Sequence, residues 1–368
     1  MSEKLKEISI SGYKSISPNH PLTVQLGDIN ILLGANGAGK SNVVSFFKML
    51  NFMMNGSFQL FVELAGSSQV FLHYGAKNTA NIEGNLTFEN ATNVNKYRFL
   101  LTSVPKDRLI ITLEEIEWGK KRRELQRISL NSEFKESAVI NRNNTTVRVI
   151  HKILANCKVY QFHDTSDKSS IRQSSHIENC NYLQAEGNNI ASFLHYLKET
   201  EKYRSNYNRI VSYVQLIMPQ FKDFYFEPNE KGYVSLKWEN VFPNDYISLP
   251  EQFSDGTIRF IALATLLLQP LKTMPRVIII DEPELGLHPS AIGQLAEMIK
   301  EASRHAQVIV ATQSPGLVDE FDANQITIIE AENGYSTAHR LEEAELKDWL
   351  EHYSLGQLWN KNVLGGRP

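Results

Sequence analysis

The 368-residue sequence predicts an α/β fold in which a mixed sheet has a parallel core, additional antiparallel strands and an inserted helical lobe. Three observations support this prediction. The apolar segment "INILL" runs into the glycine-rich stretch "GANGAGKSN" and then into an amphipathic helix pattern. Segments between residues 56 and 160 alternate apolar and polar side chains, as antiparallel strands do. From Ser254 onward, helix patterns alternate with apolar strands, which is typical of an α/β layer.

The composition indicates an ordinary globular protein, with 42% hydrophobic and 21% charged residues. The formal net charge of −3 gives no overall basic field, so a nucleic-acid contact would need a local basic patch. Two cysteines, Cys157 and Cys180, cannot form a disulfide framework and have no partners at metal-ligand spacing. No apolar segment approaches membrane-spanning length, and we expect a cytoplasmic protein without membrane contact.

The first half of the chain is predicted to be rich in strands. "LKEISISGYKSI", "LTVQL" and "INILL" are strand patterns, and the last of them is followed by a helix with Val43, Phe46, Phe47 and Leu50 on one face. The segments "NIEGNLTFE", "KYRFLLTSV", "RLIITLEEIEW" and "CKVYQF" are then predicted to be antiparallel strands.

The second half begins with a polar loop, "HDTSDKSSIRQSSHIENC". Residues 188–218 contain two helix patterns, and "DFYFEPNEKGYVSLKWEN" is typical of a hairpin. The remaining elements are predicted in the following order: helix 254–269, strand 276–281, helix 289–303, strand 307–311 and strand 325–330.

The glycine-rich stretch fits the pattern G-x-x-x-x-G-K-[ST] from Gly34 to Ser41. Glycines allow backbone N–H groups to approach a phosphate closely, and the following helix contributes a positive N-terminus. In this pattern Lys40 reaches the β- and γ-phosphates of ATP, and the Ser41 hydroxyl holds Mg²⁺. Asn36 either contacts phosphate as well or simply suits the turn.

The second motif, "RVIIIDEPELGLHP", is a buried strand that ends in Asp281 and Glu282. A carboxylate at this strand end can hold Mg²⁺, and the next one can polarise the water that attacks the γ-phosphate. We therefore predict Asp281 as a metal ligand and Glu282 as the general base. Beside a phosphate loop, this interpretation is favoured over that of ordinary capping acids.

The third motif, "LPEQFSDGTIRFIALATLLL", places Ser254 as a helix N-cap and Gly256 in the first turn of an apolar helix. It resembles the signature motif of ABC-class ATPases in its short S-x-G form. Together with "ISISGYKSI", "FLHYGAKNTANIEG" and "VIVATQSP", the three motifs resemble the ATPase head of the RecF/SMC-like branch, and most closely the small bacterial AAA-domain ATPases related to RecF and to the OLD family. The resemblance implies an ABC-type P-loop ATPase head.

The resemblance also implies roles for further residues. Ser254 and Gly256 are expected to close over the γ-phosphate that is bound by a second subunit. Gln161 or His163, in "VYQFHDTS", is expected at the position that senses Mg²⁺ or the attacking water, although packing of the loop is an equal alternative. Gln313 stands where relatives carry a histidine after "AT". A glutamine can orient water or accept a hydrogen bond but cannot titrate near neutral pH, so this departure is expected to affect the hydrolysis rate more than nucleotide binding. The residues predicted to contact nucleotide are Asn36, Gly37, Ala38, Gly39, Lys40, Ser41, Asn42, Gln161, Ser254 and Gly256.

We predict four segments along the chain. Residues 1–168 form the N-terminal part of the head, 169–240 an inserted helical lobe with the hairpin, 241–340 the C-terminal part of the head, and 341–368 a C-terminal helix and tail. In the tail, Leu355, Leu358 and Trp359 either form a strip for a partner or pack on the head.

The predicted function is that of a Mg²⁺-dependent ATPase that forms a homodimer or a higher oligomer around ATP. The resemblance implies a DNA-related process, in phage defence or repair, together with a separately encoded effector such as a nuclease. The alternative is a nucleotide-gated scaffold with little turnover. An ATPase subunit of a membrane transporter is disfavoured by the "FSDGT" form of the signature.

A basic segment, "WGKKRRELQR" at residues 118–127, is the candidate for contact with DNA phosphates. The alternative, which composition favours, is the solvated end of a hairpin.

Overall fold

The computed structural model describes residues 3–130, 135–242 and 246–366. The strands are β1 (Lys4–Ser11), β2 (Leu22–Gln25), β3 (Ile29–Leu33), β4 (Asn81–Glu89), β5 (Asn93–Val104), β6 (Arg108–Lys120), β7 (Gln126–Ser129), β8 (Cys157–Tyr160), β9 (Ser175–His176), β10 (Phe221–Tyr225), β11 (Tyr233–Val234), β12 (Lys237–Asn240), β13 (Ile247–Ser248), β14 (Val277–Asp281), β15 (Gln307–Thr312), β16 (Ile326–Glu332) and β17 (Tyr335–Arg340).

The α-helices are α1 (Lys40–Met54), α2 (Phe58–Leu64), α3 (Thr145–Leu154), α4 (Ile190–Glu199), α5 (Arg204–Ile217), α6 (Asp255–Leu268), α7 (Pro289–Ala302), α8 (Pro315–Val318), α9 (Glu343–Leu350) and α10 (Leu355–Asn360). The chain divides into two compact units. Unit 1 comprises Met1–Lys158 and Ala311–Pro368, and unit 2 comprises Val159–Val310.

Unit 1 contains an antiparallel sheet with the strand order β2-β1-β4-β5-β6-β7. Buried and more exposed side chains alternate along its strands, because every second side chain faces the core. In β4, for example, Ile82, Leu86 and Phe88 are buried and the residues between them are more exposed. Phe99 of β5 stacks on Phe46 of α1 with ring centroids 6.0 Å apart. The prediction of antiparallel strands is therefore confirmed for β4, β5 and β6.

The segment "CKVYQF" forms the predicted strand, but its place in the fold differs from that of β4 to β6. Its strand, β8, is not part of the antiparallel sheet and neighbours β14 instead. Helix α3 separates β7 from β8 along the chain, so β8 has no tight turn that would pair it with β7. A short apolar segment predicts a strand but does not identify the strand with which it pairs.

The strand before the glycine-rich loop is buried along its whole length. All residues of β3 are buried, and β3 pairs in parallel with β16, with Ile31 opposite Ile326. A parallel strand covered on both faces is continuously apolar, which explains "INILL". Strand β17 returns antiparallel to β16.

In unit 2 the core includes strand β14 and helix α6. Every residue of β14 is buried, and so is every residue of α6 from Ile258 to Leu268. A helix that is buried on all sides belongs to the interior of a domain. The two helix patterns predicted within residues 188–218 are confirmed as α4 and α5.

The predicted hairpin in unit 2 is right for its outer strands only. Strands β10 and β12 pair antiparallel, with Phe224 opposite Trp238. Between them, β11 pairs with β9, placing Tyr233 opposite His176. The intervening residues therefore attach to the polar loop instead of forming a simple turn.

The C-terminal tail is part of unit 1 and packs within it. Leu355, Leu358 and Trp359 of α10 are 6%, 0% and 4% exposed. An added Cβ at Gly356 would lie 2.5 Å from the carbonyl oxygen of Pro315, so α10 lies directly on α8. Of the two alternatives for these side chains, packing on the head is correct and the partner strip is wrong. The last residues of the "LGGRP" segment, 367 and 368, lie outside the described residues.

Candidate nucleotide-binding site

The glycine-rich loop of unit 1 has the backbone that close contact with an anion requires. Gly37 and Gly39 have left-handed φ values of 82° and 111°. An added Cβ at Gly39 would lie 2.2 Å from Ser336 Oγ, so both conformation and space require glycine there. Asn36 and Gly37 are exposed at the tip of the loop, whereas Ala38 is buried. The exposed backbone precedes the N-terminus of a long helix, where N–H groups are available to phosphate.

Lys40 begins α1 and is only 5% exposed. Its Nζ donates to the carbonyl oxygens of Gly34, at 2.7 Å, and Ala35, at 2.9 Å. The ammonium group therefore lies against the loop, where it is held by two carbonyl oxygens of the same loop. Ser41, the predicted Mg²⁺ ligand, follows it on α1 and is exposed.

Two serines brace the loop from outside. Ser336 Oγ donates to the carbonyl oxygen of Ala38 at 2.6 Å and lies 2.6 Å from Ser15 Oγ. The amide of Asn42 donates to Ser15 Oγ at 2.6 Å, so the side chain of Asn42 stabilises the loop from behind. The sequence alone does not mark these serines as part of the site. Ser15 has a weak signal in "GYKSI", but Ser336 is distant along the chain and only the fold brings it close.

In unit 2, Asp281 lies at the end of β14 and is 6% exposed. Its Oδ2 accepts a hydrogen bond from Gln161 Nε2 at 3.1 Å. The main-chain oxygen of Asp281 lies 2.9 Å from His163 Nε2. In the tautomer that carries the proton on Nε2, His163 donates a hydrogen bond to this oxygen. The structure thus brings both members of the predicted Gln161 and His163 pair to Asp281.

The other carboxylate oxygen of Asp281, Oδ1, is buried and has no hydrogen-bond partner among the described residues. A buried carboxylate oxygen without a hydrogen-bond partner destabilises the folded state, because its hydrogen bonds to water are lost on burial and are not replaced. A hard cation such as Mg²⁺ prefers oxygen ligands of this kind. The donor set at the end of β14 therefore fits Mg²⁺.

Arg259, on α6, connects the segments around Asp281. Its Nε donates to the carbonyl oxygen of Phe162 at 2.8 Å, Nη2 to that of His163 at 3.0 Å, and Nη1 to that of Leu285. The side chain is 5% exposed, and burial lowers the pKa of Arg259 from its ordinary value. Arg259 cannot be recognised from the sequence, because its hydrogen-bond partners are main-chain oxygens, which every residue has.

Glu282, the predicted general base, has a left-handed backbone with φ of 44°. Its carbonyl oxygen accepts from the Leu285 N–H at 3.2 Å, which closes a turn directly after β14. A left-handed conformation costs a residue with a side chain about 1 kcal/mol. Residues held in such a conformation cluster at functional sites, where the surrounding structure compensates for the cost.

The signature segment, residues 253–257, contains the N-cap and the first turn of α6 and lies beside a pocket. Ser254 Oγ accepts from the Thr257 N–H at 3.1 Å, which confirms the predicted N-cap. An added Cβ at Gly256 would lie 2.3 Å from the carbonyl oxygen of Gly286, so the two backbones are in direct contact. A pocket of about 390 Å³ lies here, and it is lined by Ile217, Ser254, Gly256, Thr257, Gly286, Leu287, His288, Ser290 and Ala291. These residues include the first turns of both α6 and α7, which favour a negatively charged ligand.

Gln313 follows β15 and is half-buried. The next residue, Ser314, donates its N–H to Thr312 Oγ1 at 2.9 Å and caps α8 by accepting from the Leu317 N–H at 3.3 Å. The main chain on the C-terminal side of Gln313 is thus fixed by hydrogen bonds. The role of its side chain stays a prediction.

The basic segment lies at the connection between β6 and β7, as a hairpin end does. Lys121 is ion-paired with Glu89 at 2.6 Å, and Arg127 is paired with Glu115 and Glu117. Acidic side chains thus offset the charge of Lys121 and Arg127, whereas Arg122 and Arg123 are exposed, so the solvated hairpin and the DNA contact both stay predictions. In the part of the chain that the structure describes, no helix is long and apolar enough to cross a membrane.

Two solved structures resemble this chain in fold. The SMC head bound to the C-winged helix domain of ScpA is 17% identical with a TM-score of 0.60, covering 93% of this chain and 99% of that one. The second structure is the SMC head domain with an extended coiled coil, bound to the C-terminal domain of ScpA derived from Pyrococcus furiosus. It is 15% identical with a TM-score of 0.59, and the match covers 95% of this chain and 99% of that one. The fold is therefore that of an ABC-class ATPase of the SMC-head type, as the motifs predict.

The family comparison agrees with the fold. Residues 29–319 match the family described as "AAA domain, putative AbiEii toxin, Type IV TA system", and the chain belongs to this family. Comparison with the curated proteins gives no match. The predicted resemblance is thus confirmed for the fold of an SMC head and for membership of an AAA-domain family.

Proposed function

We propose that this protein is a Mg²⁺-dependent ATPase whose two copies bind ATP between them. One observation carries the proposal: Asp281 has a buried carboxylate oxygen without a partner among the described residues, next to the amide of Gln161. The glycine-rich loop with Lys40 supplies the complementary group for phosphate. Membership of an AAA-domain family supports the same activity.

The proposed roles follow from the chemistry of each side chain. The backbone of Gly37–Gly39 and the ammonium of Lys40 bind the phosphates, and Ser41 and Asp281 hold Mg²⁺, which neutralises phosphate charge when bound. Gln161 orients the carboxylate of Asp281. Glu282 accepts the proton of the attacking water, and Gln313 orients that water through its amide.

We propose that Ser254 and Gly256 cap the γ-phosphate that is bound by the other copy. The pocket beside them supports this, because the first turns of α6 and α7 line it together. Two helix N-termini favour a negatively charged group. If ATP binds the closed dimer more tightly than the open state, ATP binding drives closure and hydrolysis reverses it.

The proposed setting is a DNA-related process in the cytoplasm, in phage defence or repair, with a separately encoded effector such as a nuclease. The basis for this setting is the resemblance of the motifs to the small bacterial AAA-domain ATPases, and the family description itself names only a putative AbiEii toxin and a type IV TA system. The exposed residues of the basic segment, such as Arg122 and Arg123, are the proposed DNA contact.

A second candidate is an ATP-gated scaffold that holds and releases an effector with little turnover. Gln313 favours it, because a glutamine cannot titrate near neutral pH as the histidine of relatives does. Both candidates require ATP binding and a closed dimer, and they differ in whether hydrolysis is needed.

The experiment compares the wild type with Lys40→Ala and Glu282→Gln. ATP hydrolysis is measured by phosphate release, and the mass in solution is measured with and without ATP. We expect Lys40→Ala to lose ATP binding and Glu282→Gln to accumulate as an ATP-bound dimer. A Glu282→Gln protein that binds ATP and stays monomeric would overturn the dimer. A Glu282→Gln protein that dimerises and retains full biological function would favour the scaffold over the ATPase cycle.

A further inference from the structure

Arg172 lies in the polar loop between β8 and β9 and is 4% exposed. Its guanidinium donates from Nε to the carbonyl oxygen of Thr165 at 2.8 Å and from Nη1 to that of Pro250 at 2.5 Å. Nη2 donates to the carbonyl oxygen of Phe253 at 3.1 Å and to Asp255 Oδ1 at 3.0 Å. The roles proposed above for the site do not use Arg172.

The partners of Nη2 are the two chain neighbours of Ser254. One nitrogen thus fixes the residue before and the residue after Ser254, which together with Gly256 forms the proposed cap of the γ-phosphate (the cap). Ser254 has an extended backbone, with φ of −66° and ψ of 157°, and the chain becomes helical directly after it. Such a change of conformation defines an N-cap, and a rigid planar donor on both sides holds it in place.

We propose that Arg172 is a positioning residue that holds Ser254 and Gly256 ready for the nucleotide of the second copy. The inference rests on the proposed function, because it assigns the signature segment its role across the dimer. Arg172 touches neither nucleotide nor metal in this scheme and acts through the main chain of the cap.

The same loop also reaches the proposed metal site. It begins at Gln161 and His163, which bond to Asp281, and it ends at Arg172, which bonds to the signature segment. Within the loop, the bond from Arg172 Nε to Thr165 links its two halves. Residues 161–172 therefore form a continuous covalent and hydrogen-bonded connection between Asp281 and the cap.

A lysine cannot make the same hydrogen bonds, because its ammonium group is compact and has three donors, whereas the planar guanidinium of Arg172 donates to four acceptors. The test therefore uses Arg172→Lys, which keeps the charge. Arg340→Lys is the matched control, because Arg340 also donates to main-chain oxygens, those of Asn324 and Gln25, but lies in unit 1. Both substitutions are made in the wild type and in the Glu282→Gln background.

We expect Arg172→Lys to bind ATP as a monomer within about twofold of the wild type, because the glycine-rich loop is untouched. In the Glu282→Gln background, ATP-dependent dimerisation should weaken about tenfold or more. In the wild-type background, kcat should fall by a similar factor with little change in KM. Both effects are expected because a charge-assisted hydrogen bond is lost that matters only when Ser254 and Gly256 contact the nucleotide of the second copy. Arg340→Lys should leave all three quantities unchanged.

Asp255→Asn provides a second variant if Arg172→Lys does not fold, because Asp255 is a 68% exposed partner of the same nitrogen. It should weaken ATP-dependent dimerisation about threefold, again without affecting ATP binding. Dimerisation of Arg172→Lys or Asp255→Asn at the level of their Glu282→Gln parent would overturn the positioning role, as would an equal loss in Arg340→Lys. If the Glu282→Gln parent itself does not dimerise, the proposed function fails first.

Discussion

The main-chain N–H of Ala35, in the glycine-rich loop, donates to the carbonyl oxygen of Gly366 across 3.0 Å. The C-terminal tail is therefore in direct contact with the loop proposed to bind phosphate. The N–H of Gly366 donates in turn to Glu330 Oε1 at 3.1 Å, which fixes this part of the tail on β16. The carbonyl oxygen of the same peptide group, that of Gly34, accepts from Lys40 Nζ at 2.7 Å, so the tail fixes a peptide group that also holds the lysine of the loop.

We expect Gly366→Ala to weaken ATP binding about fivefold, through loss of the hydrogen bond to Ala35. An added Cβ at Gly366 would lie 2.6 Å from Ile328 and 3.1 Å from Trp359, so the tail must move. Gly365→Ala is the control, since Gly365 has nearly the same φ but an added Cβ there lies 3.5 Å from Glu330. Titration calorimetry with ATP tests this, and equal affinities of the two variants would contradict it.

We expect Asp281→Asn to lose the effect of Mg²⁺ on ATP binding and to hydrolyse ATP at least about a hundredfold more slowly, since the metal supplies several kcal/mol of charge stabilisation. The variant should be no less stable than the wild type, because a neutral amide costs less to bury than a carboxylate. Binding of ATP measured with Mg²⁺ and with a chelator provides the readout. Asp167→Asn, at an exposed position of the same unit, is the control. Mg²⁺-stimulated hydrolysis by Asp281→Asn would refute the metal assignment.

Glu114 should make the stability of the protein depend on pH. It is 2% exposed and accepts from Tyr97, Ser137 and the Ala138 N–H. Burial raises the pKa of Glu114 above its ordinary value of 4.5, and the hydrogen bonds oppose this only in part. The folded state therefore retains the proton to higher pH than the unfolded state, so the contribution of this group is full below pH 4.5 and decreases as pH rises through the folded pKa.

The measurement for Glu114 is the free energy of unfolding by urea in steps from about pH 4.5 upward. Glu114→Gln does not titrate, and we expect its stability to fall less over this range than that of the wild type. Parallel pH profiles of the two proteins would exclude Glu114 as the source.

Glu136 should stabilise α2 from a distant part of the chain. Its carboxylate accepts from the N–H groups of Phe58, at 2.8 Å, and Gln59, at 3.0 Å. These N–H groups have no partner within the helix, and a carboxylate at a helix N-terminus also interacts favourably with the helix dipole. We expect Glu136→Ala to lower the free energy of unfolding by about 1 kcal/mol without affecting ATP hydrolysis. A loss of activity at unchanged stability would contradict a purely structural role.

Much of the fold follows from local patterns in the sequence. The antiparallel strands β4 to β6 are predicted because burial of one face imposes a period of two on their side chains, whereas the "INILL" strand and helix α6 are predicted from continuous apolar segments next to a glycine-rich turn and a helix cap. The pairing of β8 and the attachment of β11 to β9 are not predictable, because a short strand carries no record of its partner. The site divides in the same way. The motifs identify Lys40 and Asp281, whereas Ser336 and Arg172 act through contacts between distant residues.

The two hydrogen bonds from Lys40 to Gly34 and Ala35 have a consequence for ligand choice. The loop supplies acceptors for its own lysine, so an incoming phosphate competes with these carbonyl oxygens for the N–H donors of the ammonium group. A nucleoside monophosphate has no oxygen at the β or γ position to offer in exchange, so it leaves the lysine where it is. Selection against short-chain nucleotides can thus arise from competition inside the loop, independently of any recognition of the base.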